Sequence, residues 1–312
     1  MKGTDLSNAQ QTTTASTTAG TTAHAPAHQA CQACQPPFAP DRKIGFNPEV
    51  RDLLPPPYDI IGDVHGCIDE LHELLLALGY TFDEETHVAR HPQGRRLIFV
   101  GDLTDRGPGG IRVWQLVLAS FAADTARFVA GNHDTKFARW LMGRRISLSH
   151  GLAETVEELQ ALPPDACRAL GATIANTVAD SKPYLILDEG RLVITHAGLD
   201  EHLIGRTDDE AVTMARYGDA TGEKSAWGFP IRRDWAADYT GSALIVYGHT
   251  PTLHPDMRNN TINIDQGCAF GGRLTALRYP ELQIVSVAAR AVYAEPSMTR
   301  RLTDPDSLPP DE

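Results

Sequence analysis

The chain has 312 residues, 42% of them hydrophobic, and a formal net charge of -12. That apolar fraction supplies a sizeable core and excludes a chain disordered throughout. The acidity argues against a protein that coats duplex DNA or RNA, because such binding rests on many Lys and Arg contacts to phosphates; an enzyme that engages one phosphate at a time stays open.

Residues 1–56 are rich in Thr, Ala, Ser, Gln, His and Pro and lack hydrophobic periodicity. They cannot bury enough apolar surface to offset their ordering entropy, and read as a disordered low-complexity tail. Within it His24, His28, Cys31 and Cys34 have spacing suited to zinc. The surrounding Ala, Pro and Gln offer no element to organise the ligands, so an inert tail is preferred. The five cysteines, at 31, 34, 67, 167 and 268, form no disulfide framework and suit a reducing compartment. No apolar stretch follows Met1 as a secretory signal would require, and no run nears the roughly 18 residues of a membrane helix. The expectation is a soluble cytoplasmic protein.

After Pro55-Pro56-Pro57, apolar runs predict strands over residues 58–62, 96–100, 126–130, 184–187, 191–195, 243–247, 261–264, 274–278 and 283–287. Helices are expected over 68–78, 110–121, 135–141 and 153–162. In the first, Leu71, Leu74, Leu75 and Leu78 fall at i, i+3, i+4 and i+7, one helical face. Residues 294–312, acidic and Pro-rich, read as a second disordered tail, leaving a folded domain over 57–293. Early alternation of strands and helices, then a strand-rich second half, predicts two packed sheets with helices outside.

Five polar motifs stand at or just after strand ends. They are Gly62-Asp63-Val64-His65-Gly66, Gly101-Asp102-Leu103-Thr104-Asp105-Arg106-Gly107, Gly131-Asn132-His133-Asp134, Thr195-His196-Ala197-Gly198 and Gly248-His249-Thr250. Ligand sites at the carboxyl ends of adjacent strands are the rule in open α/β sheets. Asp63 and His65, two apart in an extended segment, are expected to share a face. Asp102 offers two oxygens and can bridge two ions. Asn132 and His133, neighbours in an extended turn, are expected to point to opposite sides, Asn132 to metal and His133 to substrate. His133 then serves as general acid, with Asp105 keeping it protonated and oriented. Arg106 is suited to hold phosphate oxygens with its planar fork. Singly, each such residue is more often structural; five in one order point to two divalent metals and hydrolysis of a phosphate ester.

This pattern resembles the calcineurin-like metallophosphoesterases, in the branch that contains the Ser/Thr protein phosphatases and diadenosine tetraphosphatases. The resemblance implies a four-layer αββα sandwich of two mixed sheets flanked by helices. It implies one metal on Asp63, His65 and Asp102 and a second on Asp102, Asn132, His196 and His249, with manganese favoured. Nitrogen and oxygen ligands alone would also admit iron, zinc or nickel. A closer likeness, carried by His150-Gly151-Leu152-Ala153-Glu154-Thr155, Tyr217-Gly218-Asp219, Trp235-Ala236-Ala237-Asp238-Tyr239, Asn260–Cys268 and Phe270–Leu277, is to the phosphatase module of bacterial polynucleotide kinase-phosphatases. It implies Asp265 in the active site and favours Arg233, in a shared segment, as a substrate contact. Residues 1–56 lack the Gly-x-x-x-x-Gly-Lys-Ser/Thr loop of the kinase module, and little sequence follows the domain. The substrate expected first is a nucleotide or RNA-end phosphate (2′,3′-cyclic, 2′- or 3′-). A phosphoprotein ranks second and a dinucleoside tetraphosphate third, and substrate choice is assigned to segments near 150–155, 217–239 and 260–273.

Overall fold

The computed structural model describes residues 49–83, 85–224 and 230–295. The zinc-spaced His24, His28, Cys31 and Cys34 lie outside them. The first half runs β1 (Tyr58–Ile61), α1 (Ile68–Leu78), β2 (Thr81–Phe82), β3 (Ala89–Arg90), β4 (Arg96–Phe99), α2 (Gly110–Ala122), β5 (Ala126–Phe128), α3 (Asn132–Leu141), α4 (Leu152–Gln160) and α5 (Pro164–Ala179). There follow β6 (Leu185–Leu187), β7 (Leu192–Ile194), α6 (Asp209–Tyr217), β8 (Ala220–Lys224), β9 (Pro230–Arg232), α7 (Trp235–Asp238) and β10 (Leu244–Tyr247). The chain then adds β11 (Asp256–Arg258), β12 (Thr261–Asn263), β13 (Asp265–Gln266), β14 (Arg273–Tyr279) and β15 (Gln283–Ala288).

Two mixed sheets result. The first has the order β13-β14-β1-β4-β5, with β15 also paired to β14; the second has the order β11-β12-β10-β7-β6. β1, β4 and β5 are parallel, as are β7, β10 and β12. Period-two alternation sorts their side chains. Ile60, Ile98, Leu192, Ile194 and Val246 pack together between the sheets. Ile61, Leu97 and Phe99 face outward onto a layer that includes Leu71, Leu74, Val113, Phe137, Leu159 and Ile174 from α1 to α5. Val193, Ile245 and Tyr247 face outward on the other side, against Ala211, Met214 and Trp235 from α6 and α7. Both faces of the central strands are covered, which is why they read as continuous apolar runs. The architecture is the expected four-layer αββα sandwich.

Residues 49–56, read from the sequence as tail, pack on this body. Val50 and Leu54 are buried, and the backbone of Val50 and Asp52 hydrogen-bonds to Ile186. Three apolar residues, one of them the exposed Leu53, show no period that would announce this. Three helices, α5, α6 and the single-turn α7, are also additional to expectation. The buried stripe of α5 keeps helical spacing but includes Cys167, Gly171 and Ala175, small residues that blunt the periodic signal, and α6 is short and largely polar.

Candidate active site

Ile61 pairs with Phe99 and Phe99 with Phe128, so the loops after β1, β4 and β5 leave the first sheet at one level. In the second sheet Ile194 pairs with Val246, bringing the loops after β7 and β10 together. The loops are tightly specified. His65, Asp102, Asp105, Arg106 and His249 have φ of 45°, 50°, 71°, 72° and 70°, a region that costs non-glycine residues about 1–3 kcal/mol each and persists only where the surroundings over-determine it. Here the β1 and β4 loops are laced together, His65 N donating to Asp102 O at 2.8 Å and Gly107 N to His65 O at 2.8 Å.

Two local expectations are corrected. Asp63 and His65 do not lie on an extended segment, since β1 ends at Ile61 and His65 is left-handed; loop geometry gathers them. Asn132 and His133 open α3 rather than an extended turn. They diverge by the ~100° per residue of a helix, which sends Asn132 towards His196 and His133 towards Asp105.

The six predicted ligands converge. His65, Asp102 and His133 present donor atoms within 4.8 Å of one another, and so do Asp102, His196 and His249. His65 Nδ1 faces the Thr104 carbonyl at 2.9 Å and His196 Nδ1 faces the Val100 carbonyl at 3.0 Å. Both nitrogens must therefore be N–H, which leaves lone pairs on the two Nε2 atoms. His65 Nε2 lies 3.5 Å from Asp102 Oδ2, and His196 Nε2 lies 3.4 Å from Asp102 Oδ1 and 3.1 Å from Asn132 Oδ1. His249 Nδ1 stands 3.0 Å from His196 Nε2. A cation between these atoms would offset their mutual repulsion. Imidazole, carboxylate and amide oxygen, with backbone carbonyls orienting two of the imidazoles, make a fitting donor set for two divalent ions that share Asp102. Asp63 is in neither group, and its carboxylate lies beside them, accepting the His249 backbone N–H at 3.1 and 3.2 Å.

Electrostatics agree with that donor set. Burial, followed by the Asp265 and Asp102 charges, pushes Asp63 well above the usual carboxylate range. Burial also pushes Asp102 upward, but four imidazoles, led by His196, hold it below that range. His65, His196 and His249 are all lowered, chiefly by burial, the direction that favours the neutral ring a metal ligand must offer.

Beside the ligands stands the predicted acid. His133 Nδ1 lies 2.6 Å from Asp105 Oδ2, and its Nε2 lies 3.1 Å from Arg106 Nη2. Arg106 also contacts His65 Nε2, and its guanidinium stacks on Phe270 at 4.8 Å. Asp265 is buried, close enough to Asp63 to raise it. Arg233 is displaced from its expected role: it is 71% exposed and tied to Asp219 at 2.9 Å. Its neighbour Arg232 reaches the Thr250 hydroxyl at 3.1 Å, next to His249, because consecutive residues at the end of β9 project to opposite sides.

Two residues escaped the sequence reading. Asp134 accepts backbone N–H bonds from Gly131, Asp102 and Leu103 at 2.9, 2.8 and 2.9 Å, clamping the β4 loop to the start of α3. Burial, then the Asp102 charge, raises it to about 7. Its position three residues after Gly131 was a readable helix-start signal. Gly131 is required there because a Cβ would fall 2.1 Å from Asp102 Oδ1. Thr155, on α4, donates to Asp105 Oδ1 at 3.0 Å, while Thr104 does so at 3.2 Å. Both oxygens of the fully buried Asp105 are thereby engaged, and nothing local in the sequence links Thr155 to a carboxylate fifty positions away. The segment around 150–155 thus serves the acid, not substrate choice alone.

Known proteins bear on this arrangement. The Calcineurin-like phosphoesterase family model matches residues 56–253. An asymmetrical bis(5′-nucleosyl)-tetraphosphatase PrpE from Geobacillus sp. (strain WCH70) is 48% identical over 235 residues, 75% of this chain and 95% of that protein. The protein of the same name from Bacillus anthracis (strain CDC 684 / NRRL 3495) is 48% identical over 234 residues, 74% of this chain and 93% of its own. A crystal structure of a protein inferred to be a diadenosine tetraphosphatase superposes with a TM-score of 0.55 at 26% identity, covering 77% of this chain and 97% of that one. With the fold, the convergent donors and these likenesses in hand, the chain belongs to the calcineurin-like phosphoesterase family and is a metallophosphoesterase, a hydrolase of phosphate ester bonds.

Proposed function

We propose that this protein splits bis(5′-nucleosyl) tetraphosphates asymmetrically, using two divalent ions, manganese by preference, held by Asp63, His65, Asp102, Asn132, His196 and His249. The observation that carries the substrate is the 48% identity to a protein of that name along 95% of its length. This moves the dinucleoside tetraphosphate from third place to first. When bound, the ions supply an activated water and neutralise charge on the phosphate. The rest falls to side chains. Arg106 donates to phosphate oxygens, and its stacking on Phe270 fixes the plane of its fork. His133 holds a proton at Nε2 for the departing oxygen, and Asp105, accepting from Nδ1 at 2.6 Å, sets that orientation and stabilises the protonated ring.

A nucleotide or RNA-end phosphate remains the second reading, supported by the buried Asp265 beside Asp63. The deciding experiment compares manganese-dependent hydrolysis of diadenosine tetraphosphate, 2′,3′-cyclic AMP and a phosphoserine peptide. The first should show the highest kcat/KM and release AMP and ATP in equal amounts. A higher kcat/KM on the cyclic nucleotide or the peptide, or release of two ADP, sinks the primary reading.

A further inference from the structure

A cluster of cationic and proton-donating groups lies beside the acid and has no part in the chemistry described above. Lys136 sits on α3 three residues after His133, on the same face and about 5 Å further along the axis. Its ammonium donates to the Ser149 carbonyl at 2.6 Å and to the Ser149 hydroxyl at 3.1 Å, using two of its three donors. His150 Nδ1 contacts the same hydroxyl at 3.0 Å, and its ring is exposed. The turn that carries them is pressed against the phosphate-holding arginine. Gly151, with φ of 90°, approaches so closely that a Cβ there would lie 2.0 Å from Arg106 N. Lys136, His133 and Arg106 together lower the His150 ring, after burial, as expected where positive charge gathers. On a chain of net charge -12, such a spot needs a reason.

The direction of the reaction supplies one. A general acid stands where the leaving oxygen departs, so the leaving group exits on the His133 side. When water attacks the phosphorus next to one ribose, the bond from that phosphorus to its bridging oxygen breaks and a nucleoside triphosphate leaves, a strongly anionic tail that needs cationic donors. A simple phosphomonoester has no such tail. We propose that Lys136 and His150 form a leaving-group subsite that binds the distal phosphates of a nucleoside oligophosphate, with Arg106 at its inner end. The assignment rests on the function proposed above and adds which residues recognise the chain length.

Inhibition of 4-nitrophenyl phosphate hydrolysis tests it without depending on the natural substrate. Inhibition constants for inorganic tripolyphosphate and for orthophosphate are measured at fixed free Mn2+ for the full chain, Lys136→Gln, His150→Gln and the double variant. The ratio of the tripolyphosphate to the orthophosphate constant should rise about tenfold in the double variant and by smaller factors in each single one, as loss of charge-assisted contacts predicts. An unchanged ratio, or equal weakening of both inhibitors, overturns the subsite. His150→Gln, at an exposed position, decides the same question should Lys136 variants fold poorly. If the full chain fails to split diadenosine tetraphosphate while the ratio still rises, the substrate reading falls and the subsite stands.

Discussion

The two sheets meet at one centre but bring unlike equipment to it. The loops of the first sheet carry Asp63, His65, Asp102, Asn132, the His133–Asp105 pair and Arg106, whereas the loops after β7 and β10 bring two imidazoles, His196 and His249. On the first side nearly every group is doubly held, Asp105 by two hydroxyls and an imidazole, Asp102 by backbone bonds through Asp134. On the second side His249 Nε2 is buried without a hydrogen-bond partner. On the roles proposed above, one sheet serves proton transfer and charge, and the other mainly completes a ligand set.

Mutations can break or sharpen that contrast. Asp102→Asn removes the carboxylate common to both ligand groups and should have the largest effect. Turnover should fall on the order of 10³-fold or more, with bound manganese, measured by elemental analysis, dropping below two per chain. Next comes the comparison between sides. His249→Ala should weaken metal affinity about 10–100-fold, by analogy with losses around metal sites, and recover activity as manganese is raised. His133→Ala should lose about 10²–10⁴-fold in kcat on alkyl phosphates, unresponsive to manganese, and far less on 4-nitrophenyl phosphate, whose leaving group needs little protonation. Similar manganese rescue of both would erase the division of labour.

Thr155→Val withdraws one hydroxyl from Asp105 and should cost about tenfold in kcat, one lost hydrogen bond to a charged group, with little change in KM. Thr155→Ser should restore it; a serine variant as slow as valine would assign the loss to packing. The smallest effect concerns a tie between the sheets. Asp52 bonds by its backbone to Ile186 of β6 and by its carboxylate to Arg127 of β5 at 3.2 Å. Burial pushes Asp52 upward, but the Leu54 N–H and the Arg127 and Lys182 charges outweigh it, and its pKa is lowered. A depressed folded-state pKa stabilises above the unfolded value of ~3.9, and the contribution is lost as pH falls through the lower folded-state value. Asp52→Asn should therefore cost about 1 kcal/mol in urea denaturation at pH 7 and progressively less below pH ~4. A constant cost across that range would remove the ion pairs from the account.

Legibility varied with range in the sequence. The α1 helix over residues 68–78 and the cores of the main strands were readable because period and burial are local properties. The glycine-flanked acids and histidines were readable because a strand followed by a polar turn forces its side chains to the sheet edge. Asn132 and His133 were assigned their partners for the wrong geometric reason, since one turn of α3 begins earlier than its apolar pattern suggests. Arg233, expected at the substrate, stands exposed just after β9 against Asp219, while Arg232 reaches Thr250, a pairing that no local pattern announces.

By itself, then, the order of five short motifs determined the reaction class and pointed to the proposed ligands, because donor type and strand-end position are written residue by residue. Only the tertiary structure decided what surrounds those donors. The grip of Thr155 on Asp105 and the meeting of Lys136 and His150 at Ser149 depend on helices α3 and α4 packing over the first sheet, and the burial that lowers His65, His196 and His249 is likewise a property of the packed layers. Contacts between residues far apart in the chain follow from how apolar faces pair across layers, and no local pattern encodes that pairing.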